Sequence, residues 1–584
     1  MTTTFAILIV ALALFIWGRW RYDVVAFVAL MVGVIAGVVP FEEAYSGLAH
    51  PAVVTVAAAL VLSRALQKSG LIDRLARGLT VFDKRPLWMM AALTALAAFL
   101  SAFMNNVAAL ALLMPLALQS GLPPAQILMP LSFGSILGGL TTLIGTPPNI
   151  IIAAYRADAM GAPFRLFDFA PVGVPLAAVG VLYITVLGWR LIPKERRGRK
   201  SPEDLFDIGG YVVEAKVPKG SESVGKSIKE LEAIAEGDAT VVSLIRGKKR
   251  LPGAPRHEVL ETGDILLLEV DPANLDKLLK GAELELAGEK GKADESLRSG
   301  DVAWMEAVVP PGSRLEGRTP SGLRFRSRHH ANLLAISRQG KPFRTRLGRV
   351  SLRAGDVLLL QGESDTLADS VAALGLLPLA ERGLHPGNRS EAFLPLGIFL
   401  AAIGVTAAGV LPVQIAFGAA VAGLVASSVL SPREVYETID WPVIILLASM
   451  IPLGQALEAT GGTAWIADSV ARFGERLHLI AVLAAVMVLT MTLSDLMNNA
   501  ATAVIMAPIA TGIAAALQLS ADPFLMATAI GASCAFLTPI GHQNNVLVMG
   551  PGGYHFGDYW RMGLPLEVLI VALSLPLILV IWPL

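Results

Sequence analysis

The chain has 584 residues, 54% hydrophobic and 16% charged, with 47 acidic and 47 basic side chains. Soluble domains carry about a quarter charged residues, so a wholly water-soluble fold is excluded, and a formal net charge of zero gives no electrostatic basis for a nucleic-acid partner. The single cysteine, Cys534, excludes an intrachain disulfide framework and a thiolate zinc cage; in its apolar stretch it reads as a small buried hydrophobe.

The N-terminal apolar run has no basic leader and no cleavage site, so it reads as a first spanning helix, not a removable signal. Apolar segments then fall near 4–18, 24–40, 51–66, 87–118, 127–153 and 171–192. A helical crossing takes about 20 apolar residues. Segment 87–118 is too long for one crossing and carries Asn105-Asn106 midway, which predicts a re-entrant hairpin. Gly145-Thr146-Pro147-Pro148-Asn149 interrupts the next segment, because consecutive prolines break a helix. Irregular backbone at membrane depth survives only inside protein or against water, so both breaks are candidate functional sites.

Arg19 and Arg21 follow the first segment, and Arg74, Arg77, Lys84 and Arg85 precede the hairpin. Lys194, Arg196, Arg197, Arg199 and Lys200 follow the fifth crossing, whereas the loop with Glu42 and Glu43 is acidic. The positive-inside rule then places both termini outside and the middle region in the cytoplasm; the expected location is a cell inner membrane. Arg472 and Arg476, on the outer side, run against this pattern.

The middle region, about 205–385, is charged and internally duplicated. Glu214, Val217-Pro218, Gly220-Ser221 and Gly225 recur as Glu306, Val309-Pro310, Gly312-Ser313 and Gly317; Gly263-Asp264-Ile265-Leu266-Leu267-Leu268 recurs as Gly355-Asp356-Val357-Leu358-Leu359-Leu360. Runs such as Thr240–Leu244 and Ile265–Glu269 between Gly-Asp turns read as strands. A helix near 273–280, with a counterpart near 364–374, closes each unit. The reading is two small α+β domains, 205–285 and 300–383, joined by a polar linker near 285–300.

In the last third, apolar segments fall near 392–410, 413–430, 442–458, 478–513, 524–549 and 563–583, and they repeat the first third. Ser101, Met104-Asn105-Asn106 and Pro115 match Ser494, Met497-Asn498-Asn499 and Pro508. Thr142, Gly145 and Asn149 match Thr538, Gly541 and Asn545; Gly173 and Pro175-Leu176 match Gly563 and Pro565-Leu566. Five crossings and one hairpin per half, 1–200 and 390–584, turn the second half over relative to the first. The expected fold is therefore an α-helical polytopic membrane protein of two inverted repeats, with hairpins 87–118 and 478–513 and two α+β domains inserted.

Amides buried at a helix break must be hydrogen-bonded or must coordinate something. A half-helix N-terminus favours an anion, and freed carbonyls favour a small cation such as Na⁺. Two Asn pairs at equivalent places favour transport sites over simple caps. Gly541-His542-Gln543-Asn544-Asn545 lacks the proline pair, so the two sites are unlike; His542 can bind substrate or titrate, with a neutral hydrogen-bonding role preferred. Asp495 is the main intramembrane charge and its counterpart is Ala102. Paired catalytic acids, HExxH and GxSxG motifs are absent from the sequence, which argues against an enzyme.

These motifs resemble the divalent anion/sodium symporter family (the solute-carrier 13 group) of the ion transporter superfamily, across both membrane thirds. The family's Ser-Asn-Thr tips read here as Asn105-Asn106-Val107 and Asn498-Asn499-Ala500. The stretch from Thr538 through Gly550-Pro551-Gly552-Gly553-Tyr554 to Leu566 is similar to the sulfate-transporting branch of bacteria and algae, which carries soluble repeats between its halves. The middle units resemble the C-terminal subdomain of potassium-conductance regulators (RCK-C), usually dimeric and in some cases nucleotide-binding. The resemblance implies one Na⁺ on Ser101, Asn105, Asn106 and the backbone at Gly145, and a second on Ser494, Asn498, Asn499 and the backbone near Gly541. It implies an anion between the tips, near Asn106, Val107, Thr146, Pro147, Asn499, Ala500, Thr502 and Asn545. Val107 and Ala500 lack the family's threonine hydroxyl, which turns the expectation from carboxylates toward sulfate. The implied protein is a homodimeric, elevator-type sodium symporter with a small regulatory ligand on its RCK-C-like domains. A di- or tricarboxylate symporter and a Na⁺/H⁺ antiporter are the alternatives.

Overall fold

The computed structural model describes residues 2–69, 85–193, 212–286, 302–379, 393–462 and 478–584, with Arg196 and Trp465 and with short interruptions inside those spans. Arg74, Arg77, Lys84, Lys194, Arg197, Arg199, Lys200, Arg472 and Arg476, most of the 285–300 linker and the start of the 273–280 helix lie outside the described residues.

The first third forms α1 (Thr2–Trp17), α2 (Tyr22–Ile35), α3 (Pro51–Lys68), α4 (Pro86–Ser101), α5 (Asn106–Gln119), α6 (Pro124–Gly139), α7 (Pro147–Met160) and α8 (Ala170–Val186). The last third forms α9 (Phe393–Ala407), α10 (Val413–Ala426), α11 (Trp441–Ala459), α12 (Leu479–Leu496), α13 (Asn499–Ala516), α14 (Ala521–Ser533), α15 (Gln543–Met549) and α16 (Tyr559–Ile581). Each helix of the second set stands eight places after its counterpart. Among the described residues, five helical segments are long and apolar enough to cross a bilayer.

The 87–118 and 478–513 segments each consist of two helices around a short break. Asn105 and Asn498 set those breaks: their Oδ1 atoms accept the N–H of Val107 and of Ala500, each at 2.9 Å, so each side chain caps the helix that follows. Pro147 occupies the first turn of α7, where a missing N–H costs nothing. The proline pair that interrupts the segment thereby starts its second helix.

The helices form two groups. In one, α2 packs on α11 and α3 on α10, so each half grips the other in the same way. In the other, α4 packs on α6 and α12 on α14, while α8 and α16 meet across the halves. The groups touch through α3 with α7 and α11 with α13. Glycine permits one repeated close approach: a Cβ on Gly173 would collide with the Leu140 carbonyl, and one on Gly563 with the Phe536 carbonyl.

The middle region contains two five-stranded antiparallel sheets of the same topology. The first has order β3-β2-β4-β1-β5, with β1 Val212–Lys216, β2 Ala239–Arg246, β3 Lys249–Pro252, β4 Ile265–Val270 and β5 Glu285–Leu286. The second has order β10-β6-β9-β7-β8, with β6 Val302–Val308, β7 Asn332–Arg338, β8 Lys341–Phe343, β9 Val357–Glu363 and β10 Leu377–Pro378. Both central pairings shift register at one place, Val241/Ser243 and Leu333/Ala335. Arg246 forks onto Asp264 at 3.0 and 2.8 Å, and Arg338 onto Asp356 at 2.7 Å twice, so each buried carboxylate has a bidentate partner.

The two sheets differ in their surroundings. One face of the second sheet builds its own core from Ala307, Val309, Ile336, Leu358 and Leu360. Its other face, with Val308, Ala335, Val357 and Leu359, joins the hydrophobic core of the helices. At that junction Gly355 abuts Gly550, and a Cβ on Gly355 would lie 2.7 Å from the Val546 carbonyl. The matching glycine of the first sheet, Gly263, has open space around it, and Lys216, which matches Val308, is exposed.

Candidate functional site

The second group of helices brings both breaks together, and the hydrogen bonds repeat residue for residue. Ser101 Oγ meets Asn106 Oδ1 at 2.6 Å, and Ser494 Oγ meets Asn499 Oδ1 at 2.9 Å. Asn149 Nδ2 donates to the Gly139 and Thr142 carbonyls at 3.2 and 2.8 Å. Asn545 Nδ2 donates to Ala535 and Thr538 at 3.0 and 3.1 Å, the same positions ahead of it. Thr142 Oγ1 bonds the Ala102 carbonyl, and Thr538 Oγ1 bonds the Asp495 carbonyl at 2.6 Å. Each half thus staples an unwound loop back onto its own hairpin break. Gly145 lies against the Ser101 carbonyl and Gly541 against the Ser494 carbonyl, a contact that a side chain would block.

Several expected site residues have specific places in this frame. Ser101, Asn106, Thr146, Ser494, Asn499 and Ala500 are buried at the breaks, and Val107 is half-buried. Asn105 and Asn498 are committed as caps through Oδ1, Gly145 and Gly541 sit in the unwound loops, and Pro147 opens α7. Thr502 is fully buried one turn into α13, its hydroxyl bonded to the Asn498 carbonyl at 3.2 Å. Both amide hydrogens of Asn545 are spent inside its own loop, and its Oδ1 accepts from Ser132 Oγ at 2.8 Å.

The halves also cross-connect unequally. His542 caps α15 by accepting the Asn544 N–H at Nδ1 (3.1 Å), and its Nε2 meets Asn106 Nδ2 at 3.0 Å. Asn544 Nδ2 reaches the Asn106 carbonyl at 3.2 Å and Ser135 Oγ, while its own Oδ1 is buried with no hydrogen-bond partner in the structure. Thr146, which corresponds to His542, makes no capping bond at α7. The hairpin tip of the first half is therefore tied to the loop of the second.

Asp495, the main intramembrane charge read from the sequence, has a second acid beside it. Glu567, buried in α16, neighbours it, and the two carboxylates accept from consecutive amides: Leu537 N–H on Asp495 at 2.9 Å and Phe536 N–H on Glu567 at 3.4 Å. Glu567 follows Gly563-x-Pro565-Leu566 where Ala177 follows Gly173-x-Pro175-Leu176, so both acids replace alanines of the first half. That alignment was the signal available for it. Ser132 and Ser135, both buried, gave none.

Cross-half polar contacts extend to both sides of the site. Arg156 forks onto Asp522 at 2.7 and 2.9 Å, and Tyr554 Oη both donates to the Ala125 carbonyl (2.8 Å) and accepts from Met129 N–H (2.9 Å). Buried, unwound, amide-lined breaks inside an apolar helical frame are suited to holding small ions or polar solutes at depth.

A family model described as citrate transporter matches residues 12–531 and 480–584. The chain is 33% identical to an uncharacterized transporter of Synechocystis, over 99% of this chain and 96% of the relative. It is 28% identical to the uncharacterized transporter YfbS of Escherichia coli, over 99% and 98%. It is 22% identical to sodium/sulfate cotransporter 2 of Chlamydomonas reinhardtii, over 81% and 77%. Fold, site and relatives define an integral-membrane transporter and not an enzyme. The chain belongs to the citrate transporter family.

Proposed function

We propose that the protein is a sodium-coupled symporter of a divalent oxyanion, sulfate first. The observation that carries the reading is the pair of stapled breaks, each with a serine hydroxyl on an asparagine amide, Ser101–Asn106 and Ser494–Asn499. One Na⁺ sits with Ser101, Asn105, Asn106 and the Gly145 backbone, the other with Ser494, Asn498, Asn499 and the Gly541 backbone. The anion lies between the tips, against the N-termini of α5 and α13, where exposed amides and the helix dipole favour negative charge. Thr146 and Pro147 flank it; Thr502 and Asn545 act from behind, through the bonds they make to the break and the loop. Sulfate is favoured by Val107 and Ala500, which offer no hydroxyl for carboxylate recognition, and by the relative named a sodium/sulfate cotransporter.

The halves are read as inverted repeats in an inner membrane, with the two-sheet region cytoplasmic. The separation of the helices into two groups supports an elevator motion, the α2–α3/α10–α11 group staying as the scaffold of a homodimer. The two-sheet units, RCK-C-like, take a small regulatory ligand. A di- or tricarboxylate is the second reading, favoured by the family's description.

The test is uptake of labelled sulfate into proteoliposomes under an inward Na⁺ gradient, with Na⁺-free, citrate-competed and succinate-competed controls. Sodium-dependent uptake that neither acid competes away supports the reading, and the Asn106→Ala/Asn499→Ala protein, still monodisperse, should show none. Citrate-sensitive uptake moves the substrate to the second reading. Full activity of the double variant would falsify the site.

A further inference from the structure

We propose that His542 couples the two cargoes: a cation that takes the Asn106 side-chain oxygen frees the His542 Nε2–H to hydrogen-bond the oxyanion. The inference rests on the sodium symport reading and gives His542, in the loop of the second half, a role that its counterpart Thr146 lacks.

The backbone N–H of Asn544 can only donate, so His542 Nδ1, 3.1 Å away, is the lone-pair nitrogen and the ring proton sits on Nε2. Nε2 faces the Asn106 amide at 3.0 Å, where Nδ2 stands. Two donors cannot share that line. Amide oxygen and nitrogen exchange by a half-turn that leaves the shape unchanged, so the satisfied arrangement has Oδ1 accepting from His542 and Nδ2 donating to Ser101 Oγ, now 2.6 Å from the amide.

That arrangement makes the first hairpin tip a two-way switch. While Oδ1 accepts from His542, it faces away from Ser101, another side-chain ligand proposed for the cation at this tip. A Na⁺ that claims Oδ1 turns Nδ2 toward Nε2–H, donor against donor, and the buried ring needs a new acceptor, since an unpaired buried donor is costly. An oxyanion between the tips is that acceptor. The same exchange run backward means that anion binding raises sodium affinity, because the coupling is reciprocal. Thr146, at the matching place in the first half, has no ring nitrogen and no capping bond, so the switch belongs to one half only.

The experiment uses two substitutions that divide the imidazole. His542→Asn keeps an acceptor for the Asn544 N–H and removes the Nε2 donor; His542→Gln sets an amide donor near Nε2 and gives up the cap. Sulfate KM is measured in proteoliposomes at low and at saturating sodium. Coupling of this kind usually changes affinity by about 5–150-fold. The expected result for His542→Asn is a sulfate KM about tenfold higher at saturating sodium, with sodium half-saturation unchanged or lower because nothing competes for Asn106 Oδ1. His542→Gln should retain most of the sodium dependence of the sulfate KM. Wild-type-like KM and sodium dependence in His542→Asn overturn the inference. A parallel rise of both constants also overturns it, because that is what mere loosening of the site produces. If the wild-type liposomes themselves show no sodium-driven sulfate uptake, the symport reading fails, and this inference with it.

Discussion

Replacing Asn545 by alanine removes three hydrogen bonds at once: its donations to the Ala535 and Thr538 carbonyls at 3.0 and 3.1 Å, and its acceptance from Ser132 Oγ at 2.8 Å. The side chain is fully buried, so water cannot replace them. A buried polar group left unpaired costs about 1–3 kcal/mol, which puts the loss at about 3–6 kcal/mol after allowing for relaxation. Asn149→Ala strips two partners, Gly139 and Thr142, and should cost about 2–4 kcal/mol on the same scale. Size is separated from bonding by Asn545→Asp, which keeps the volume but sets carboxylate oxygen against two carbonyls; it should destabilise at least as much as alanine. The assay is apparent Tm in detergent, followed by fluorescence-detected gel filtration. Unfolding of a large membrane protein is not two-state, so the rank order is the readout. An Asn149→Ala drop larger than that of Asn545→Ala, or a tolerated Asn545→Asp, would refute the stapling.

Two further predictions concern the frame around the site. Gly173→Ala and Gly563→Ala each drive a Cβ into a backbone carbonyl of the neighbouring unwound segment, so both should cut the yield of monodisperse protein severalfold, whereas Gly397→Ala, with open space around it, should not. Lys68, with the Ser431 amide and hydroxyl, holds Glu434 down to about 2 at the start of a short helix outside the membrane spans. A depressed carboxylate stabilises above its unfolded value and loses that contribution as pH falls toward the folded one. The apparent Tm difference between wild type and Lys68→Met should therefore be flat above pH about 5 and shrink between about 4.5 and 2; a difference that grows on acidification would contradict it.

Much of this frame can be read from sequence because its physics is local. An Asn pair inside an apolar run has to break a helix, and the first asparagine of each pair does so by capping the next one. Gly-Asp turns ahead of Ile265 and Val357 announce strands, and the two sheets repeat down to their bulges. What depends on residues far apart in the chain could not be read. Glu567 hides in a window whose mean hydropathy one acid barely changes, and its neighbour Asp495 lies on another helix. Serines inside helices commonly bond their own backbone, as Ser135 does to the Ser132 carbonyl, and only the fold brings Asn545 to Ser132. The link from His542 to Asn106 spans 436 positions and no periodicity encodes it.

The contact between the second sheet and α15 has a consequence for how the duplicated units drift apart. The turn glycines Gly263 and Gly355 both have left-handed backbone, φ +91° and +82°. At Gly263 that is the whole constraint, and asparagine, which tolerates such backbone, can stand there. At Gly355 the neighbouring chain is a second constraint, because the Val546 carbonyl occupies the space a Cβ would need. The two copies of the turn are therefore held unequally: the copy at 263 asks only for a residue that accepts left-handed backbone, and the copy at 355 keeps its glycine for as long as the sheet stays seated on the helix that carries Asn544 and Asn545.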